Sequence, residues 1–208
     1  MLLDVREFKK LPIMGILRGI SEEMIEPLTQ AIIASGLRTI EIAMNTPHAA
    51  TLIKRVKELA GDQLVVGAGT VLSMESLESA LKVRASFIVL PTLQEEVVGY
   101  CVKNRIPVFP GALSPQEIFK AWRAGATMVK VFPAKFFGPN YFREIKGPLD
   151  DVELLACGGV NKDTVKEYFA YGASAVAFGS SIVKAAWLKD KEFKKIEKGI
   201  EQLISAKQ

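Results

Sequence analysis

The sequence predicts a single (β/α)8 barrel spanning residues 1–208. Eight short Val- and Ile-rich runs alternate with amphipathic helical periods along the whole chain. The runs lack strict polar alternation, which fits strands covered on both faces, as in a parallel sheet wrapped by helices. Glycine recurs where a helix must stop before a strand, in Ala34-Ser35-Gly36, Arg123-Ala124-Gly125-Ala126 and Ala170-Tyr171-Gly172-Ala173, and there it can take the left-handed turn that ends a helix. Eight such units close into a barrel. The alternative is an open doubly wound sheet, but no Gly-x-Gly-x-x-Gly follows the first strand and there is no P-loop.

Residues 1–12 read as an N-terminal helix. Strands are expected at 13–18, 39–44, 64–70, 87–91, 107–110, 128–132, 153–157 and 175–178. Two of the intervening helices open on clear start signals, Thr46-Pro47 and Ser114-Pro115-Gln116-Glu117. In each, a hydroxyl can cap and the proline can take the first helical position; Glu117 adds a capping box. Residues 189–208 are Lys-rich, with Phe193, Ile196, Ile200 and Leu203 at helical spacing. They read as an amphipathic C-terminal helix with a solvated face rather than a nucleic-acid-binding segment.

Composition narrows the function. With 49% hydrophobic and 24% charged residues, the chain has the apolar surface to form one large core. Lys and Arg number 27 against 23 Asp and Glu, a net charge of +4. That mild excess suits an anionic ligand without calling for nucleic acid. Cys101 and Cys157 form no disulfide framework, which fits a reducing cytoplasm. A single histidine, His48, all but excludes a His-rich metal site and a Ser–His–Asp triad; it reads as a surface residue. No apolar run has membrane length, the N-terminus lacks the pattern of a signal peptide, and no cofactor motif is present. A cytoplasmic protein without metal or cofactor is therefore expected.

The informative residues are charges in strands. Lys130 lies between Val129 and Val131, on the strand face of Met128 and Phe132. Glu41 sits in Ile40-Glu41-Ile42, and Arg18 ends the first strand. On either face of a barrel strand the ammonium leaves bulk water, and burial is expected to push its pKa down. One reading is a structural Glu41–Lys130 ion pair, which stabilises little because desolvation largely offsets attraction. The other is a lysine nucleophile with a neighbouring carboxylate that moves the protons of imine formation.

A second cluster is glycine-rich. Cys157-Gly158-Gly159-Val160-Asn161 follows the seventh expected strand and Gly179-Ser180-Ser181 the eighth. Loops at those two positions of a barrel commonly bind phosphate; ordinary tight turns are the alternative. Gly67-Ala68-Gly69-Thr70 ends the third strand, where packing competes with a ligand-facing role for the Thr70 hydroxyl. Pro91 and Pro110-Gly111 end the fourth and fifth strands and can shape the mouth. Trp122 and Cys101 read as packing. Together these residues point to Schiff-base chemistry on a phosphorylated keto compound.

From about Ile13 to Lys184 the chain resembles the class I aldolases that split 2-keto-3-deoxy-6-phosphosugar acids, together with 4-hydroxy-2-oxoglutarate aldolase. Val129-Lys130-Val131-Phe132-Pro133 resembles the family's Schiff-base strand, Ile40-Glu41-Ile42 its acid/base strand, and Gly67-Ala68-Gly69-Thr70-Val71 its substrate-binding strand. Gly158-Gly159-Val160 and Gly179-Ser180 resemble its phosphate site.

The resemblance implies a barrel homotrimer needing no metal and acting on a phosphorylated keto acid. Lys130 would form the imine with the C2 ketone, and Glu41 would take the C4 hydroxyl proton through a water. Cleavage of C3–C4 would release glyceraldehyde 3-phosphate and then pyruvate. Arg18 and Thr70 would hold the substrate's anionic groups, Phe132 and Pro91 its pyruvyl part, and Gly158, Gly159, Gly179 and Ser180 its phosphate. Two positions depart from gluconate-type members: Asn45 stands where they often carry Arg, and Cys157 where they often carry Thr. Leu17-Arg18-Gly19-Ile20, Met44-Asn45-Thr46-Pro47 and Phe137-Gly138-Pro139 are closer to the 6-phosphogalactonate branch. Both epimers therefore stand as substrates. An isomerase or epimerase on a phosphate-binding barrel, or a non-catalytic sugar-phosphate binder, remains the alternative class.

Overall fold

A computed structural model of the chain describes residues 1–207. Nine strand segments run as β1 (Ile13–Leu17), β2 (Thr39–Ala43), β3 (Val65–Gly69), β4 (Ile88–Val89), β5 (Val108–Phe109), β6 (Gly111–Ala112), β7 (Val129–Val131), β8 (Leu154–Cys157) and β9 (Ala175–Phe178). Every pairing is parallel, in the order β5-β4-β3-β2-β1-β9-β8-β7-β6. β5 and β6 are two halves of one stave. β5 pairs with β4 and β6 with β7, so the chain itself carries the sheet around the ring through Pro110. The expected fifth strand, ending at Pro110, is thus too short. Proline has no N–H to give the ladder, but its carbonyl still accepts from the Lys130 N–H at 2.9 Å, and pairing resumes on the far side.

The helices are α1 (Val5–Lys10), α2 (Glu22–Ala34), α3 (Ala49–Ala60), α4 (Met74–Lys82), α5 (Glu95–Lys103), α6 (Pro115–Arg123), α7 (Asn140–Lys146), α8 (Val165–Ala170), α9 (Ala185–Lys189) and α10 (Phe193–Ala206). The helices α2, α6 and α8 are followed by Gly36, Gly125 and Gly172, each with positive φ, as the stop signals predict. The capping box of α6 forms: the Ser114 hydroxyl accepts from the Glu117 N–H and Glu117 accepts from the Ser114 N–H. The expected cap at Thr46-Pro47 does not. α3 starts two residues later, behind His48 in a left-handed conformation, and the Thr46 hydroxyl instead accepts from the Gly19 N–H at 3.1 Å, tying the loop after β1 to the loop after β2. In α10, Ile196, Ile200 and Leu203 are buried.

Alternation along the strands sorts the core in two. Ile13, Ile40, Ile42, Val66, Ile88, Val129, Val131 and Val176 face the helices in the larger cluster. Met14, Phe87, Val89, Phe109, Met128, Leu155, Cys157 and Ala177 form a second cluster inside the barrel, joined by Leu3 and Phe8 from the N-terminal segment. Phe109 meets Phe8 and Phe87 edge-to-face, with centroids 6.2 and 5.8 Å away. α1 therefore seals the N-terminal end of the lumen with apolar rings. Because all strands are parallel, their C-terminal ends share the opposite end, where the polar residues lie.

Candidate active site

Lys130 projects from β7 into the lumen because its neighbours Val129 and Val131 take the helix-facing side. Glu41 projects inward from the middle of β2, whose five residues are all buried. Lys130 Nζ lies 3.8 Å from Glu41 Oε1, with the two side chains 7% and 1% exposed. That distance is an ion pair but exceeds the ~3.2 Å limit of a good N–H···O hydrogen bond. Neither carboxylate oxygen of Glu41 has a hydrogen-bond partner. A buried carboxylate with four open acceptor positions is costly, and the Lys130 ammonium is the charge that partly compensates it.

Gly69 makes room for that carboxylate. A Cβ at position 69 would lie 2.6 Å from Glu41 Oε1 and 2.7 Å from its Cδ. Gly67, on the same strand, likewise leaves space for the ring of Phe87. The two glycines of this strand thus accommodate one polar and one apolar inward group.

Burial pushes the Glu41 pKa up, and the nearby charges of Lys130 and Arg18 pull it back without offsetting the loss of water. For Lys130, burial opposes the charge, but Glu41 and then Cys157 outweigh it, and the ammonium is held above its ordinary range. The downward shift expected from burial alone is therefore not what the site displays: the carboxylate across the lumen reverses the sign. A proton passed from Lys130 to Glu41 would remove both buried charges at once; the raised Glu41 pKa favours that transfer and the raised Lys130 pKa opposes it.

Cys157 ends β8 inside the barrel near the ammonium, and burial raises its thiol pKa. In sequence it heads the glycine-rich loop and stands where gluconate-type members often carry Thr. Its luminal position follows from alternation with Leu155, a signal the β8 run did carry.

Arg18, read in sequence as ending the first strand, lies just past β1 with its side chain exposed. Its guanidinium donates to the Thr70 hydroxyl at 3.0 Å. Thr70 follows β3 with φ 56°, a left-handed conformation that costs a β-branched residue on the order of 1 kcal/mol or more. Phe132, 38% exposed, follows β7, and its ring centroid is 5.5 Å from Lys130 Nζ. Pro91 follows β4, half-buried, with its carbonyl packed so closely on Gly111 that a side chain there would strike backbone.

Gly158 and Gly159 follow β8 with φ of 101° and 83°, and Gly179 and Ser180 follow β9. The Ser181 hydroxyl donates to the Val160 carbonyl at 2.6 Å and ties these loops together. Gly159 lies against Lys135, a residue the sequence reading passed over. So the structure pairs Lys130 with Glu41 and Arg18 with Thr70, and sets the two glycine loops side by side at the same end of the barrel. Among the described residues no three His, Cys, Asp or Glu side chains converge as metal ligands.

Residues 5–199 match the sequence profile of a family described as "Aldolase: KDPG and KHG aldolase". The chain is 33% identical to the 2-dehydro-3-deoxy-6-phosphogalactonate aldolase of Escherichia coli over 85% of this chain and 86% of that one. It is 36% identical to the 2-dehydro-3-deoxy-phosphogluconate aldolase of Pseudomonas aeruginosa, over 79% and 74%. A solved structure named native KDPGal superposes with a TM-score of 0.88 at 29% identity, covering 99% of this chain and 97% of that one. The KDPG aldolase of Legionella pneumophila, whose crystal holds pyruvate captured as a covalent carbinolamine, superposes with a TM-score of 0.85 at 25% identity, covering 92% and 93%.

Proposed function

The chain belongs to the KDPG and KHG aldolase family, and on that premise we propose that it cleaves 2-dehydro-3-deoxy-6-phosphogluconate to pyruvate and glyceraldehyde 3-phosphate through a Schiff base on Lys130. It is an aldolase, a carbon–carbon lyase. The observation that carries the proposed roles is the buried Lys130 ammonium 3.8 Å from a Glu41 carboxylate that no other group satisfies.

In this reading Glu41 first takes a proton from Lys130, and the neutral amine adds to the C2 ketone. Glu41 gives that proton to the carbinolamine hydroxyl, which leaves as water to form a protonated imine and restores the carboxylate. Glu41, as carboxylate, then removes the C4 hydroxyl proton. The C3–C4 bond breaks, its electron pair moves into the imine as an enamine, and the aldehyde leaves. Protonation at C3 and hydrolysis release pyruvate and return Lys130. Arg18 and Thr70 receive the substrate's anionic groups, and Phe132 and Pro91 flank the pyruvyl part. The backbone of Gly158, Gly159 and Gly179, with the Ser180 hydroxyl, binds the phosphate.

The galactonate epimer is the second reading, favoured by the similarity to the Escherichia coli enzyme over most of both chains. 4-Hydroxy-2-oxoglutarate is a further substrate under the same chemistry. The reaction needs no metal or organic cofactor and serves carbohydrate breakdown. The assembly is a homotrimer, supported by consecutive apolar side chains, Phe136 and Phe137, left 72% and 54% exposed. The protein is cytoplasmic and engages neither nucleic acid nor membrane. In support, both cysteines are free, and among the described residues no helix is long and apolar enough to cross a membrane.

A pyruvate-release assay with the two epimers side by side tests the reading. Release from the gluconate substrate is expected, and sedimentation equilibrium of the same preparation is expected to give three chains per particle. No pyruvate from either epimer contradicts the reading; release from the galactonate substrate alone transfers it to that epimer.

A further inference from the structure

Gly158, Gly159, Gly179 and Ser180 offer a phosphate backbone N–H groups and one hydroxyl, but no charge. A phosphate held in a partly open mouth gains most from a charge-assisted bond. Lys135 is built into the wall of this loop pair. It lies in the single helical turn Ala134–Phe136, two residues beyond Pro133 and four beyond the end of β7. Its stem crosses Gly159: a Cβ at position 159 would meet Lys135 Cβ at 2.7 Å and its Cδ at 3.6 Å. A Cβ at Gly158 would meet Pro133 and Ala134 only at ordinary contact distance, 3.4–3.5 Å. The glycine pair thus has two consequences. Positive φ aims its backbone, and the missing side chain at 159 lets a lysine lie across it.

The ammonium of Lys135 is also uncommitted. Among the described residues it has no carboxylate within 4 Å. It rests 5.1 Å from the centroid of the Phe136 ring, a weak hold for a lysine. The neighbouring lysines are held elsewhere. Lys162 pairs with Asp163 at 3.1 Å, and Lys184 stacks over Trp187 at 4.4 Å.

We propose that Lys135 is a specificity residue: its ammonium binds the substrate's phosphate and sets the preference for phosphorylated over unphosphorylated keto acids. The inference rests on the lyase reading for its substrate, while its anion site can be tested without it. KM and kcat are measured for the unaltered protein, Lys135→Ala and Lys135→Arg, with the 6-phosphorylated substrate and its unphosphorylated counterpart. One charged hydrogen bond is worth about tenfold in affinity. Lys135→Ala is expected to raise KM about tenfold for the phosphorylated substrate alone, with kcat unchanged, and Lys135→Arg to restore it. An unchanged ratio between the two substrates, or an equal loss on both, overturns the proposal.

Thermal melting with inorganic phosphate supplies an arm independent of turnover. The unaltered protein should gain melting temperature with phosphate, and Lys135→Ala should lose that gain. Equal shifts in both overturn the proposal. Absent turnover with a Lys135-dependent phosphate shift keeps the anion site and removes the lyase reading instead.

Discussion

A methyl group added at Gly69 would stand 2.6 Å from Glu41 Oε1. Glu41 would have to turn away from Lys130, because the strand backbone that carries position 69 is locked by pairing to β2. Gly69→Ala is therefore expected to lower lyase kcat on the order of 10²-fold, the usual cost of misplacing a catalytic group by about 1 Å. Lys130 still meets pyruvate in that variant, so the borohydride-trapped adduct should persist; an unchanged kcat would contradict the account. The pH profile follows from the same residue. Burial holds the Glu41 pKa above its usual value, so on acidification it takes up a proton earlier than an ordinary carboxylate, near ~4.3. Activity that needs the carboxylate is then lost as pH falls through the raised value. The acidic limb of kcat/KM should lie above the ordinary range, as a property of the Glu41–Lys130 dyad, and should vanish with the residual activity of Glu41→Gln. A limb at ordinary carboxylate pH would contradict this.

Elements were legible in proportion to how local their causes are. The α6 box is written in four consecutive residues and forms as read. Ser114→Ala should remove about 1 kcal/mol of stability, measured by denaturant unfolding at neutral pH. The Glu117 carboxyl is shifted the opposite way from Glu41. Backbone N–H groups of Ser114 and Leu113 hold its pKa down, so its contribution is complete above the unfolded value and fades as pH falls through the lowered one. The signal at Thr46-Pro47 looks alike in sequence, but Thr46 is taken by the Gly19 N–H from another loop. Pro110 misleads for a similar reason: a missing N–H reads as a strand end, and only the ring reveals that β4 uses one half of the stave and β7 the other.

At the scale of the whole molecule, the barrel brings together residues far apart in the chain. The strand pattern was enough to take Lys130 and Glu41 out of bulk water, since both sit at interior positions of apolar runs, but it left the choice of the lumen face to the closed ring. What it could not give was the sign of the Lys130 shift, because that depends on a carboxylate and a thiol approaching across the lumen. The contacts Gly69 makes with Glu41, Cys157 with Lys130, and Lys135 with Gly159 were equally hidden, each joining different staves. The apolar end sealed by Phe8, Phe87 and Phe109 leaves the opposite mouth as the route by which a ketone can reach Lys130.

Incubation with pyruvate and borohydride, followed by intact mass and peptide mapping, tests the central claim most directly. One reduced pyruvyl group per chain is predicted, carried on Lys130 and absent from Lys130→Ala. An unmodified chain, or a label on another lysine, would contradict it.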